Sequence, residues 1–386
     1  MNLADEEKIF ERKEIVTDII SKHKKILVFG AGKTGSDICR ILKAYNLFSG
    51  YVDNDLRKQQ DGYEDEIVFS VNHIRITGFY VIVAGNDIHS QEMCSQLYDM
   101  GLEYLYDYIQ AEKFLKEWFP VLSLCVYNKS YTNLAQICLT ERCTLKCKKC
   151  AHACHLVDNR ATDMPLEIAK RSADNFFKNF DVVGEFVLIG GEPFLYKNLE
   201  EIVEYIGNNY RKQILMFSIT TNGTILPPNH IIDLCGKFDI TIRISDYSES
   251  IPILKRQYER VYSELKNTKY IVWKTNAEKS WFDYGFETVQ HRNIEAIKEN
   301  YNNCKTMCRE ICDNKYYYCV MAHTVAQNMK LNIGNDDYLD LSEKIEKTQL
   351  LKFELGFLPK GYLDMCSRCR GREAVNYLIP AAEQVI

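Results

Sequence analysis

Cys143-Thr144-Leu145-Lys146-Cys147-Lys148-Lys149-Cys150 places three thiols within eight residues, and the reading of the chain turns on it. Three cysteine ligands on a cubane iron–sulfur cluster leave one iron without a protein donor, open to a small chelating molecule. A ferredoxin cluster that only moves electrons takes four cysteines. A zinc ribbon calls for two Cys-x-x-Cys pairs, and the Cys143-x-x-x-Cys147 half of this segment fits that poorly. The chain has 15 cysteines in 386 residues. It is long for a disulfide scaffold, and its start shows no charged-then-apolar signal segment. Cys39, Cys94, Cys125, Cys138 and Cys235 stand alone and read as small buried hydrophobes. The others cluster around 143–154 and 304–369, which points to metal in a reducing cytoplasm.

Outward from the motif, the pattern is one of repeated strand and helix. The apolar stretch Ala135–Leu139 is a strand whose loop carries the cysteines. Asp163 is expected to cap a helix with Leu166, Ala169, Ala173 and Phe176 at helical spacing. Phe186–Ile189 is a buried strand ending in Gly190-Gly191-Glu192-Pro193, and Asn198 with Glu201 suggests a capping box for the next helix. Ile214–Ile219 ends in Thr220-Thr221-Asn222-Gly223. Ile240, Ile242 and Ile244 alternate along a strand ending in Ser245-Asp246, and Tyr270–Trp273 reads as a further strand. Five β/α units make most of a barrel, and in such barrels the chemistry sits at the strands' C-terminal ends. The polar motifs all fall there.

Upstream, a lead-in helix over residues 4–22 precedes the strand Lys24–Phe29, which runs into Gly30-Ala31-Gly32-Lys33-Thr34-Gly35. A second strand ends at Asp53, and Tyr80–Ala84 reads as another. This is a small parallel-sheet domain over residues 1–108, followed by a helical connector at 109–133. Gly30, Gly32 and Gly35 with Asp53 satisfy the dinucleotide fingerprint, a weak signal by itself. Length alone favours two or three domains. A net charge of −5 with 26% charged and 46% hydrophobic residues describes a soluble protein without a phosphate-binding basic surface, so nucleic acid is not expected as a partner. No apolar run reaches the ~18 residues of a membrane span.

Over residues 134–285 the chain resembles the radical S-adenosylmethionine (SAM) superfamily, on its CxxxCxxC signature and on Gly190-Gly191-Glu192-Pro193, which matches that family's GGEP motif. The resemblance implies a partial (β/α)6 TIM-like barrel and a [4Fe–4S] cluster on Cys143, Cys147 and Cys150. SAM would chelate the open iron and be cleaved reductively to a 5′-deoxyadenosyl radical. It also implies SAM contacts from Gly190, Gly191, Glu192 and Pro193, with Glu192 receiving the SAM ammonium group, and candidate contacts from Thr220, Asn222, Ser245 and Asp246, for which turn and cap duties are an equal alternative. Lys149 departs from the family, which often has an aromatic residue before the third cysteine.

Residues 286–386 resemble the twitch form of the SPASM domain. There Cys304, Cys319, Cys366 and Cys369 would hold one auxiliary [4Fe–4S] cluster, with structural zinc as the alternative. Asn314 stands where that family has glycine and is expected to tolerate the same left-handed turn. Cys308 and Cys312 are surplus, and with Cys154 they are candidate hydrogen donors; replacement of Cys304 as a ligand by Cys308 or Cys312 is the alternative. The first ~100 residues are similar to the half-Rossmann domains of glycan-pathway enzymes, which implies docking of a sugar nucleotide, with NAD(H) or a vestigial module as alternatives. The combined expectation is an α/β, oxygen-sensitive cytoplasmic oxidoreductase or epimerase acting on a small molecule such as a nucleotide sugar, reduced by flavodoxin or ferredoxin. A peptide maturase and a non-catalytic iron–sulfur or zinc protein are the rivals.

Overall fold

A computed structural model describes residues 3–385 apart from 24, 158–161, 267, 269–271, 277–279, 305–307 and 333. The chain forms two compact units, Met1–Tyr131 and Thr132–Ile386. In the first, five strands lie in the order β3-β2-β1-β4-β5, where β1 is Ile26–Phe29, β2 Phe48–Val52, β3 Val68–Phe69, β4 Tyr80–Val83 and β5 Tyr108–Gln110. All neighbouring pairs are parallel. The unbroken apolar runs of β1 and β4 are buried at all positions, as strands covered on both faces must be. Lys24, expected in the first strand, lies outside the described residues.

The second unit is built on one eight-stranded sheet in the order β10-β9-β8-β7-β6-β12-β13-β14. Its strands are β6 (Tyr131–Cys138), β7 (Val182–Ile189), β8 (Ile214–Thr221), β9 (Ile240–Asp246), β10 (Val272–Asn276), β12 (Arg309–Cys312), β13 (Lys315–Tyr317) and β14 (Tyr338–Asp340). Strands β7 to β10 run parallel, and β12 joins the far edge of β6, also parallel. Strands β13 and β14 extend the sheet antiparallel. A separate ribbon pairs β11 (Ser280–Phe282) with β15 (Leu378–Pro380). The strand expected at Tyr270–Trp273 is described only from Val272, since 270 and 271 lie outside the described residues. The mixed α/β sheet with a parallel run is that of a partial TIM-like barrel.

Strand alternation divides this sheet into two chemically different faces. Ala135, Ile137, Phe186, Leu188, Phe217, Ile219, Ile240 and Ile242 enter one apolar core with the helices Leu166–Asn179, Leu199–Tyr210 and Lys255–Leu265. The opposite parity carries Gln136, Glu185, Ser218 and Arg243. Beyond β6, the fully buried Tyr316 hydroxyl donates to Glu354 Oε1 at 2.6 Å, and Arg309 lies 3.7 Å from the same carboxylate with its guanidinium over the Tyr318 ring. A buried cation is tolerable only when paired in this way.

Three local expectations are corrected. Asp163 does not cap the helix at Leu166; Pro165 occupies the N-cap, and the Asp163 carboxylate is held by Thr140 and Arg142. Asn198 occupies its N-cap without a side-chain cap bond, so the capping box with Glu201 is not formed. In the β12–β13 hairpin the left-handed residue is Asp313 (φ 56°), not Asn314; the Asn314 side chain instead accepts from Asn175 Nδ2 at 2.6 Å.

Phe176 is fully buried and meets Phe177, Phe180, Phe186 and Tyr316 at ring-centroid distances of 4.9–5.7 Å. Phe176→Ala is expected to destabilise this unit by about 3–5 kcal/mol, seen as a lower urea midpoint in its unfolding transition.

Candidate cluster site

The cysteine loop leaves the end of β6 and is clamped at both sides. Arg142 forms a two-pronged pair with Asp163 (2.8 Å to each oxygen), and Thr140 Oγ1 donates to the same carboxylate at 2.7 Å. Although burial works against it, these hydrogen bonds hold the Asp163 carboxyl below the usual range. Across the loop, the end of β7 adds backbone bonds from Gly191 N to Thr140 O (2.7 Å) and from Glu192 N to Arg142 O (2.8 Å). Contact is so close that a Cβ on Gly190 would stand 2.7 Å from the Thr140 carbonyl oxygen, and one on Gly191 2.4 Å from that of Arg142. The two glycines therefore let the strand end press against the cysteine loop.

Cys143, Cys147 and Cys150 come together in an apolar patch with Leu145, Ala382, Tyr247, Ile251, Leu254 and Trp281. Burial pushes the Cys143 thiol up to about 11 and the Cys147 thiol up to about 12. A hydrogen bond shared with Cys154 holds Cys150 below its ordinary value and drives Cys154 up. Thiolates in such a setting need a bound cation to offset their charge. Donors are already aimed at the sulfurs: Leu145 N and Asn222 Nδ2 reach Cys143 Sγ at 3.4 and 3.5 Å, and Gln384 Nε2 reaches Cys147 Sγ at 3.2 Å. Three clustered sulfurs with N–H donors fit an iron–sulfur cluster. Among the described residues, no three His, Cys, Asp or Glu side chains are gathered tightly enough to hold a single metal ion.

Glu192 is fully buried, and its carboxylate already accepts from Thr221 Oγ1 (2.8 and 2.9 Å), Asn222 N (2.9 Å) and Phe194 N (3.2 Å). It ties the end of β7 to the end of β8, and Pro193 begins the short turn that follows. Asn222 bonds Thr144 and Thr224 besides Cys143. Thr220 and Ser245 are half-buried on the polar parity of β8 and β9, while Asp246 is buried and accepts from Ser248 N in a local turn. Lys149, in left-handed backbone, pairs with Glu287 and lies 3.8 Å from Asp283.

Farther along the chain, Cys304, Cys319, Cys366 and Cys369 form a second group, close enough that the thiols of Cys319, Cys366 and Cys369 are each raised by Cys304 in addition to burial. Asn300 Nδ2 holds the Cys366–Cys369 turn through both cysteine carbonyls at 3.2 and 2.7 Å, and Gly371 N donates to Cys369 Sγ at 3.2 Å. Cys312 instead lies against His323, and Cys308 within electrostatic range of Glu185 and Glu310. Of the five cysteines expected to be buried hydrophobes, Cys125 is exposed and Cys94 half-buried.

In the first unit, Gly30 (φ 114°) packs against Ala84 and Gly35 against the Gly30 carbonyl, whereas Gly32 faces open space. Asp53 accepts from Ala31 N at 2.9 Å and pairs with Lys58 at 3.0 Å, so its carboxylate braces the glycine turn.

Two features escaped the sequence reading. One is the segment 381–385, which lies along the cysteine loop. The other is a polar network on the inner parity of the sheet: Gln136 Nε2 donates to Glu310 Oε2 (2.9 Å), His323 pairs with Glu310, Ser218 Oγ donates to Glu185 Oε1 (2.7 Å), and Arg243 pairs with Glu185. Charged residues inside otherwise apolar strands, Glu185 and Arg243, were the available signal.

Residues 137–257 match the Radical SAM superfamily; proteins of that superfamily bind a [4Fe–4S] cluster and SAM. The chain is 31% identical over 166 residues to an uncharacterized protein of Methanocaldococcus jannaschii, covering 42% of this chain and 54% of that one. It is 32% identical over 101 residues to a probable GTP 3′,8-cyclase of Methanococcus aeolicus (26% and 32%). It is 34% identical over 90 residues to the antilisterial bacteriocin subtilosin biosynthesis protein AlbA of Bacillus subtilis (23% and 18%). The alignments thus span about half or less of these relatives. Among solved structures, BtrN in complex with AdoMet and 2-DOIA is similar at a TM-score of 0.38 and 15% identity, covering 64% of this chain and 98% of that one. No helix among the described residues is long and apolar enough to cross a membrane.

Burial raises the Glu192 carboxyl from 4.5 to about 7. In that window the folded chain binds a proton the unfolded chain lacks, so the stability tied to this group is present below 4.5 and is lost as pH rises through about 7. Glu192→Gln is expected to remove this slope, worth roughly 3 kcal/mol across the window, in urea titrations compared with the parent between those two pH values.

Proposed function

We propose that the chain, whose residues 137–257 match the Radical SAM superfamily, removes a hydrogen atom from carbon on a polar, hydroxyl-bearing substrate of sugar or sugar-nucleotide type. The observation that carries this reading is the inner parity of the barrel sheet. Glu185, Arg243, Ser218 and Gln136 offer charged and hydroxyl partners there, on strands whose C-terminal ends converge on the cysteine loop. When bound, the cluster and SAM supply one-electron chemistry able to break an unactivated C–H bond, which acid–base groups leave untouched.

The chain's own residues position. Cys143, Cys147 and Cys150 are the residues that would hold the cluster, leaving one iron without a protein ligand for SAM. Gly190 and Gly191, with Asn222, fix the strand ends beside it; Thr220, Ser245 and Asp246 border the same rim. Cys304, Cys319, Cys366 and Cys369 are proposed to hold an auxiliary [4Fe–4S] cluster, the electron acceptor a dehydrogenase requires. In an epimerase variant Cys308 is the best-placed hydrogen donor of the three surplus thiols, because Cys154 is engaged by Cys150 and Cys312 by His323. The glycine turn of residues 30–35 is proposed as a docking site for a nucleotide diphosphate, with the open side of Gly32 toward it. Such oxygen-sensitive centres suit the cytoplasm, with flavodoxin or ferredoxin as reductant.

A second reading, modification of a peptide, is favoured by the similarity to AlbA, a bacteriocin biosynthesis protein. The two separate by substrate. After anaerobic reconstitution, nucleotide sugars are expected to stimulate 5′-deoxyadenosine formation and to be altered in mass, whereas stimulation by peptides alone would replace the sugar reading. Glu185→Gln and Arg243→Gln are each expected to cut substrate turnover on the order of 100-fold. Both should retain the parent's iron content and its slow, substrate-free formation of 5′-deoxyadenosine.

A further inference from the structure

The segment from Ala381 to Val385 lies antiparallel to the cysteine loop. Val385 N donates to Lys146 O at 2.7 Å and Lys148 N to Glu383 O at 2.6 Å, flanking a bridge between Cys147 and Gln384. The Gln384 side chain is fixed by three contacts. Its Oε1 accepts from Lys146 N (2.7 Å), and its Nε2 donates both to Ala382 O (2.7 Å) and to Cys147 Sγ (3.2 Å). Ala382 is fully buried against Leu145 and Cys147, so the segment also closes that side of the cysteine patch to water. Strand β15, just before it, is anchored by pairing with β11, which delivers Gln384 to the loop from more than two hundred residues away in sequence.

We propose that Gln384 is a positioning residue of the iron–sulfur site, whose amide N–H donates to the Cys147 sulfur and raises the reduction potential of the cluster held there. The reason is electrostatic. Reduction adds negative charge to the cluster and its thiolates, and an N–H aimed at a ligating sulfur stabilises that added charge. The amide is preorganised for this because its oxygen and second hydrogen are already spent on backbone partners. This inference rests on the radical SAM reading of Cys143, Cys147 and Cys150, and it concerns how readily that centre accepts its electron.

The test is an anaerobic redox titration of the reconstituted full chain, followed by electron paramagnetic resonance, with iron content measured in parallel. Auxiliary-site signals are removed in a Cys366→Ala/Cys369→Ala background. Gln384→Leu keeps the bulk and loses the donor; its midpoint is expected to move to more negative potential with iron content unchanged. Gln384→Glu, which puts an acceptor and a charge at the same place, is expected to move it further in the same direction. A loaded parent whose midpoint neither substitution moves overturns the inference alone, as does a loss of iron with an unshifted midpoint in the remaining loaded fraction. A parent that takes up no cluster overturns the proposed function and this inference together.

Discussion

Everything at the site depends on three thiols being held where water does not reach them well. In an apolar patch a lone thiolate is costly, and burial pushes the Cys143 and Cys147 thiols up. The surrounding fold is arranged to meet that demand. N–H groups from Leu145, Asn222 and Gln384 point at sulfur, and the loop itself is too short to choose its own shape. Its conformation is imposed from outside by the Arg142–Asp163 pair on one side and the segment 381–385 on the other.

The same logic explains the buried carboxylate of Glu192. Placed between β7 and β8 without solvent, it would be destabilising as an anion unless its oxygens were filled, and Thr221, Asn222 and Phe194 fill them. The reward is geometric: the strand end carrying Gly190 and Gly191 is locked to the strand end carrying Asn222, and both are locked to the cysteines. A ligand resting on this rim would meet backbone and side chains that have already lost their freedom, so binding need not supply the ordering.

Away from the rim, the sheet separates its duties by parity. Isoleucines, leucines and phenylalanines on one side hold the helices, and the positions between them are released from packing. Glu185, Arg243, Ser218, Gln136 and Glu310 occupy those positions and satisfy one another. A polar interior of this sort would be a poor choice for stability alone, since paired buried charges seldom outperform well-packed apolar residues. The proposed substrate site rests on that polar face. By contrast, the Arg309–Glu354–Tyr316 network lies under the β12–β13 hairpin and serves to fasten it.

Local chemistry was legible in the sequence wherever neighbours along the chain supply the constraint. The CxxxCxxC spacing, the GGEP strand end, the apolar runs of β1 and β4 and the 3.6-residue stripes of the helices are all of this kind, because thiol spacing, glycine freedom and amphipathic periodicity act over a few residues. Where a partner comes from far along the chain, reading failed. Asp163 looked like a helix cap, yet its carboxylate is worth more to Arg142 and Thr140 than to a helix that begins well at Pro165. Asn314 looked like the left-handed turn, but Asn175 and the backbone of Leu341 recruit it, and Asp313 takes the strained conformation instead. Nothing near Gln384 announces a metal site. The sequence by itself determined the thiol spacing and the strands that present it; only tertiary structure decided which distant groups close around those thiols, because hydrogen bonds and burial are set by distance in space and leave no period in the chain.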